Sequence, residues 1–307
     1  MRKYLVVDGG GTKTLAVICN EAGEILGKGM AGCGNAGLSS YEIALSNVLT
    51  ACKTALSNAG LESAKIVFGN LFIPGFKNCL DEFEKTIKIK SVIVSETEEL
   101  KYSALRNKDG IVVLSGTGSF ATAFIGENKF TVGAWGYILG DEGSGYDIGL
   151  MALKECTKIY DDNQKSLLLN EVCDYFKIED FVNLRRSLYN IKDKRKKVAS
   201  LSPMVCRLAD LGEPSAIKII EKATDELANL AYRAYLKSKT EQTLPVILAG
   251  GVKKAGQVII NPFSEKIQKL STSKLFYMES KLEVIYGAIL KTLVDDGISI
   301  DNINFEV

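Results

Sequence analysis

Side chains able to do chemistry gather beside glycine-rich turns in this chain. Asp8 opens the run Asp8-Gly9-Gly10-Gly11-Thr12-Lys13-Thr14, and Ser115-Gly116-Thr117-Gly118-Ser119 repeats its mixture of glycine and hydroxyl. Asp141 and Glu142 sit in a further glycine-rich stretch, Trp135–Gly149. Glycine puts no Cβ in the way, so backbone N–H groups converge on an anion. Carboxylates beside such turns suit a phosphorylated ligand with a metal ion or a hydroxyl nearby. The plainer reading of Ser115–Ser119 alone is a tight hairpin and an ordinary loop. A second turn of the same kind weighs against it.

The chain has no histidine at all. That excludes Ser-His-Asp and Cys-His catalysis and most catalytic zinc sites. A general base must therefore be a carboxylate, Lys, Tyr or Cys. Basic and acidic residues balance, 38 against 37, which leaves no electrostatic footprint for nucleic acid or a membrane surface. The longest basic run, Lys192–Lys197, reads as a solvated loop or helix face. The seven cysteines form no CxxC, so zinc ribbons and dithiol redox motifs are not expected. They read as buried small apolar residues. Their odd number and the lack of a signal peptide point to the reducing cytosol. No apolar run approaches the roughly 18 residues that span a bilayer.

The elements that must position these groups alternate. Lys3–Val7 is a β-branched run ending at Asp8, Leu15–Cys19 a second strand and Ile25–Met30 a third. Ile111–Leu114, Phe120–Ile125 and Phe130–Val132 repeat that order about a hundred residues later, which reads as internal duplication. A polar glycine loop, Gly32–Gly37, precedes a helix capped by Ser39 or Ser40 and running to about Ala59. Strands at 65–72 and 91–94 alternate with helices at 76–87 and 96–105. This pattern is α/β with a largely parallel sheet, whose functional side chains gather at the carboxyl ends of strands. Asp8, Ser95, Glu96 and the 115–119 turn all stand at such ends. Beyond Gly149 the spacing predicts helices at 150–160, 165–176, 178–189, 195–211 and 215–236. A buried strand at 245–249 leads to Gly250-Gly251, and a short strand (275–278) and a helix (282–293) close the chain.

With 307 residues the length suggests two domains. Two glycine patterns imitate a dinucleotide fingerprint. After Gly116 the chain continues as a strand instead of the required helix, and the Gly32–Gly37 loop lacks the acidic residue about 20 positions on. No GxxxxGK[ST] is present, so this is not a P-loop protein.

DGGGTKT at 8–14, SGTGS at 115–119, WGYILGDEGSGYDIG at 135–149 and LAGGV at 248–252 resemble the N-acetylglucosamine kinase family. That family lies in the BadF/BadG/BcrA/BcrD branch of the sugar kinase/heat-shock ATPase/actin superfamily. The likeness runs nearly the whole chain, and the 135–149 segment is its most specific part. It implies two actin-like (ribonuclease H-like) domains with a nucleotide cleft between them. The first would span 1–113 plus 283–307, the last helix returning to it, and the second 114–282 with helical insertions. It also implies ATP-dependent phosphorylation of a primary hydroxyl, O6, of an amino sugar. Gly10, Gly11, Thr12 and Lys13 would contact phosphate from one side, and Thr117 and Gly118 from the other. Asp8 would hold Mg²⁺ through water, and Gly250 and Gly251 would receive adenine or ribose. Asn35, Thr117, Trp135, Gly136 and Asp141 would bind the sugar, Asp141 by accepting from ring hydroxyls. The family also implies a homodimer.

The chain departs from the family at one position that matters. Glu96 stands where the usual general base is Asp. The extra C–C bond is about 1.5 Å long, and a misplacement near 1 Å can cost on the order of 10²-fold in rate. Glu96 is the expected base and sugar contact, with Glu98 and Glu99 as weaker candidates. The competing reading makes all three first-turn glutamates that complement the helix macrodipole. Trp135 taken alone would be a core residue, and Asp141 and Glu142 helix caps. Two other functions stay open. One is an ATPase activator of a 2-hydroxyacyl-CoA dehydratase or benzoyl-CoA reductase, which would need cysteines for a bridging iron–sulfur cluster. The other is a non-catalytic sugar-binding relative.

Overall fold

The computed structural model describes residues 1–280 and 282–305. The chain divides into two compact units, Met1–Lys108 with Lys281–Val307, and Asp109–Ser280. The division falls five residues before the expected 113/114 boundary. Its reason is pairing: the strand Gly110–Ser115 is hydrogen-bonded within the second unit along its whole length.

In the first unit β1 (Lys3–Gly9), β2 (Thr14–Asn20) and β3 (Ile25–Ala31) form an antiparallel meander. α1 (Tyr41–Ala59) follows, then β4 (Gly69–Phe72), α2 (Leu80–Ile87), β5 (Ser91–Ile93) and α3 (Glu96–Leu105). The sheet order is β3-β2-β1-β4-β5, with β1, β4 and β5 mutually parallel. Strand side chains alternate between faces. On β1, Leu5 and Val7 join Ala16, Ile18 and the α1 residues Ala44, Val48 and Cys52 in one core. Tyr4 and Val6 join Val17, Cys19, Tyr102 and the C-terminal helix, Val284–Asp295, in another. Both faces are covered, so the strand reads as a continuous apolar run instead of an alternating one. Ser40 caps α1 by accepting the Ile43 N–H at 3.3 Å.

The second unit repeats this plan. β6 (Gly110–Ser115), β7 (Ser119–Ile125) and β8 (Asn128–Gly133) form the meander. Then come α4 (Gly145–Asp161), α5 (Leu167–Phe176), α6 (Leu184–Tyr189), α7 (Lys194–Ala199), α8 (Ser202–Asp210) and α9 (Pro214–Ser238). β9 (Leu244–Ala249), α10 (Gln257–Ser271) and β10 (Leu275–Tyr277) complete it. The order β10-β9-β6-β7-β8 matches the first sheet strand for strand, so the duplication read in the sequence is a duplication of topology. The two mixed sheets with their helices make the fold α/β and actin-like.

Several helices differ from the spacing-based expectation. α4 begins at Gly145 instead of Leu150, because Ser144 caps it by accepting the Asp147 N–H at 3.2 Å. The span 195–211 is two helices, α7 and α8, broken at Ser200–Leu201. α10 was not expected at all. Pro262 lies inside it, and a proline in a helix interior costs roughly 3 kcal/mol. Burial of Ile259, Phe263 and Ile267 in the core overrides that cost. Among the described residues no helix is long and apolar enough to cross a membrane.

Candidate functional site

Each unit carries its own set of the residues singled out above. In the first unit, residues 10–13 form the turn between β1 and β2, closed by the Gly10 N–H donating to the Lys13 carbonyl at 3.0 Å. Gly11, Thr12 and Lys13 are exposed on it. The Gly34 N–H donates to the Gly10 carbonyl at 3.2 Å, which draws the 32–37 loop up to this turn. Thr14 strengthens the same junction by donating to the Gly32 carbonyl at 2.9 Å.

Asn35 organises that loop. Its Oδ1 accepts the Gly37 N–H at 2.8 Å, and its carbonyl accepts the N–H groups of Leu38 and Ser39, each at 3.1 Å. A Cβ at Gly75 would lie 3.3 Å from Asn35 Oδ1, so the turn after β4 abuts the loop.

The carboxyl ends of β1, β4 and β5 share one edge of the sheet. Asp8 is on β1, and Ser95 caps α3 just beyond β5 by accepting the Thr97 N–H at 3.3 Å. Glu96 opens that helix, and Glu99 lies one turn on, on the same face. Glu99 is only 2 % exposed, and its Oε1 has no hydrogen-bond partner. Burial pushes the Asp8 carboxyl up from its ordinary value, against the pull of Lys13. Partial burial of the carboxyl end also raises Glu96, and the charge of Asp8 adds to it. Glu99 is pushed well above the glutamate range by burial, then by Asp8 and Glu96. Burial and neighbouring negative charge both favour its protonated form. Of the glutamates considered, Glu96 is the one with an exposed side chain, a solvent-reachable carboxylate poised above its ordinary pKa.

In the second unit the 115–119 turn joins β6 to β7 with Ser115 opposite Ser119. The Gly116 N–H donates to the Gly118 carbonyl at 2.9 Å. Thr117 stands exposed at its tip. The segment before α4 is stitched onto it. Ser115 Oγ donates to the Gly143 carbonyl at 2.9 Å, Ser119 Oγ to the Glu142 carbonyl at 2.7 Å, and the Gly145 N–H to the Gly116 carbonyl at 2.8 Å.

Asp141 is the anchor of this arrangement. It is 3 % exposed; Oδ1 accepts the Ser119 N–H at 3.1 Å and Oδ2 pairs with Arg195 Nη2 at 2.9 Å. A Cβ on Gly118 would lie 2.7 Å from Asp141 Oδ1, so only glycine lets the carboxylate seat here. Asp141 thus braces the turn, and both its oxygens are engaged before any hydroxyl arrives. Trp135 is not a core residue: it is 73 % exposed, with Tyr137, Ile138 and Leu139 exposed beside it. Gly136 follows it with φ +80°.

Gly250 and Gly251 separate in role. A Cβ at Gly250 would run into the Ser115 carbonyl oxygen, so its absence lets the turn after β9 pack on β6. Gly251 meets nothing and lines a cavity of about 370 Å³ with Ser202, Pro203, Cys206, Arg207 and Asp210. That volume lies within the range of small-ligand pockets, roughly 300–1,000 Å³.

Two of these groups escaped the sequence reading. Arg195 belongs to the basic run taken as a solvated face, yet it turns onto Asp141. The α8 residues of the cavity belong to no motif. Nothing in local spacing marks them. Glu99, a weaker candidate for the base in the sequence, is instead a buried acid. Among the described residues no group of three or more His, Cys, Asp or Glu could hold a metal ion. A Mg²⁺ bound through one carboxylate, water and nucleotide phosphates needs no such group, and hard carboxylate oxygens crowded at Asp8 and Glu96 suit it. The seven cysteines are free thiols, and burial pushes Cys156 up to about 12 and Cys206 to about 11.

The chain is similar to known proteins. A stretch of 208 residues is 31% identical to an N-acetylmuramic acid/N-acetylglucosamine kinase of Clostridium acetobutylicum, covering 66% of either chain. An N-acetyl-D-glucosamine kinase of Dictyostelium discoideum is 25% identical over 290 residues, 87% of this chain and 90% of its own. A solved structure from Chromobacterium violaceum shares the fold with a TM-score of 0.73 at 23% identity, covering 94% of this chain and 98% of that one. The family model matches residues 5–291, and the chain belongs to the BadF/BadG/BcrA/BcrD ATPase family.

Proposed function

We propose that this family member is an ATP-dependent sugar kinase that phosphorylates the primary hydroxyl, O6, of an amino sugar, with Glu96 as general base. The observation that carries the proposal is the poise of Glu96. It is an exposed carboxylate at the sheet edge of the β1–β2 phosphate turn, its pKa raised by partial burial and by Asp8. A base works best when its pKa approaches the working pH.

In the step proposed, Glu96 takes the proton of the sugar hydroxyl, and the freed oxygen forms a bond to the γ-phosphorus. The bond from the γ-phosphorus to the β–γ bridging oxygen breaks, and ADP leaves. Lys13 and the N–H groups of the 10–13 turn neutralise the transferring oxygens, where most of the catalysis of phosphoryl transfer arises. Thr117 and Gly118 do the same from the 115–119 turn. Asp8 would hold Mg²⁺ through water, and the ion would supply charge neutralisation at the phosphates. Asn35 has an amide nitrogen free to orient a sugar oxygen, since its Oδ1 is spent on Gly37. Trp135 offers an open ring face, and Gly251 opens the α8 cavity to the base or ribose. Cys19, Cys52, Cys79, Cys156 and Cys206 do not favour the activator alternative, because they are buried inside the units.

ADP release by purified protein with Mg·ATP tests this against N-acetylglucosamine, glucosamine, N-acetylmuramic acid and glucose. Amino-sugar-dependent release is expected. Glu96→Gln should lower kcat by about 10²–10⁴-fold while leaving the KM for ATP nearly unchanged. Activity of the wild type should fall on acidification at a higher pH than an ordinary glutamate would give, because the raised base must be deprotonated to act. Sugar-independent hydrolysis would overturn the assignment.

A further inference from the structure

The basic run 192–197 holds one side chain that does not behave like its neighbours. Lys192, Lys194 and Lys196 are exposed, whereas Arg195 is folded back onto the 135–141 segment. Its Nη2 meets Asp141 Oδ2 at 2.9 Å, and its guanidinium carbon lies 5.4 Å from the centre of the Tyr137 ring. Tyr137 in turn packs edge-on against Tyr146, with 5.2 Å between centroids. Ion pair and ring fix the plane of the guanidinium.

The bonding of that group is incomplete. Among the described residues Asp141 is its one acceptor. Nε is buried with no partner. An unmet buried donor is costly, so a surface arginine with no role here would swing into water. Yet the side chain is 37 % exposed, which leaves its outer N–H donors open to a ligand. A fixed planar fork with spare donors is a reader of carboxylate or phosphate.

The surroundings choose between those anions. The Asp141 carboxylate stands between Arg195 and the Ser119 N–H, so it screens the cation from the 115–119 phosphate turn. The guanidinium lies over the ring of Tyr137, two residues from the exposed ring of Trp135. That is the aromatic segment assigned above to the sugar.

We infer that Arg195 is a specificity-determining residue that binds a carboxylate carried by the sugar, which makes an acidic amino sugar such as N-acetylmuramic acid the preferred substrate. This rests on the amino sugar kinase reading. It adds that the lactyl carboxylate is read by one named cation, set in place by Asp141.

The test compares ADP release with N-acetylmuramic acid and with its methyl ester, which keeps the lactyl skeleton and removes the charge. Wild-type protein is expected to favour the acid by about 10- to 100-fold in kcat/KM, the range of a charged hydrogen bond. Arg195→Met should bring the acid-to-ester ratio close to one, and Arg195→Lys should retain part of it. Both variants also disturb Asp141 and so lower turnover, which makes the ratio the readout. An acid-to-ester ratio near one in the wild type overturns the inference without any variant. So does a ratio unchanged in Arg195→Met. Turnover of N-acetylglucosamine with none of N-acetylmuramic acid rejects the role of Arg195 and leaves the kinase standing. No turnover with any sugar rejects the kinase reading itself.

Discussion

Glu99 shows how burial and neighbouring carboxylates set the character of a single acid. Its folded pKa is raised above the unfolded value, so the folded state holds the proton more tightly than the unfolded chain. Stability from this group is then complete below the ordinary glutamate pKa and is lost as pH rises through the raised one. Glu99→Gln removes the titration and keeps the shape. Its stability relative to wild type should therefore improve as pH increases from about 4 upward, by up to roughly 1.4 kcal/mol for each unit by which the pKa is raised. Urea unfolding midpoints of both proteins between pH 4 and 9 check this, and parallel curves would refute it. The sequence marks Asp8 and Glu96 because each follows a strand beside a glycine turn. It marks Glu99 only as a weaker candidate, and it cannot mark Arg195, whose partner Asp141 is 54 positions away in the chain. Asp141 was visible through its motif, but its task was not. Bracing the turn depends on the close approach of Gly118, which only the folded backbone reveals.

At the scale of elements, the site of the first unit depends on how closely α1 lies on β3. A Cβ at Gly29 would strike the Ala51 carbonyl oxygen and come within 2.6 Å of the Ala55 nitrogen. Both are backbone atoms inside α1, so no rotamer change relieves the overlap. Gly29→Ala must push the helix outward, at a cost of typically 1–3 kcal/mol for overpacking. α1 begins directly after the loop that carries Asn35, and Asn47 Nδ2 ties the helix to the Cys33 carbonyl at 2.8 Å. The displacement should reach the Asn35 loop, the side of the unit proposed to bind the sugar. The expected outcome is a lower denaturation midpoint and a raised KM for the sugar, with the KM for ATP affected less. Equal effects on both would place the damage elsewhere. Strong periodicity made α1 legible, with its cap narrowed to Ser39 or Ser40, of which Ser40 holds it. α10 was hidden because Pro262 and Gly256 speak locally against a helix, while the core contacts that hold it are distant in sequence.

For the molecule as a whole, the chain crosses from one unit to the other twice, and this sets which pieces can fold alone. The second unit is one continuous segment with its own core, so 109–280 expressed alone should fold. The first unit is not continuous. Its second core takes Ile285, Ala288, Ile289, Leu290 and Leu293 from the C-terminal helix, against Tyr4, Val6, Val17 and Phe72 of the sheet. Four of those helix residues are Leu or Ile, each worth about 1.5–3 kcal/mol on burial, so their loss removes roughly 6–12 kcal/mol. That equals the whole stability of an ordinary domain, about 5–15 kcal/mol. Residues 1–108 alone should therefore remain unfolded, and adding the segment 282–307 should restore structure. Circular dichroism and cooperative thermal unfolding of the pieces decide the matter. A cooperative transition in 1–108 alone would mean that the first core suffices and that the C-terminal helix is dispensable to it. The amphipathic pattern of that helix was visible in the sequence, but its destination came only from the family resemblance. A pattern shows that a face must be buried, and topology supplies the face that buries it.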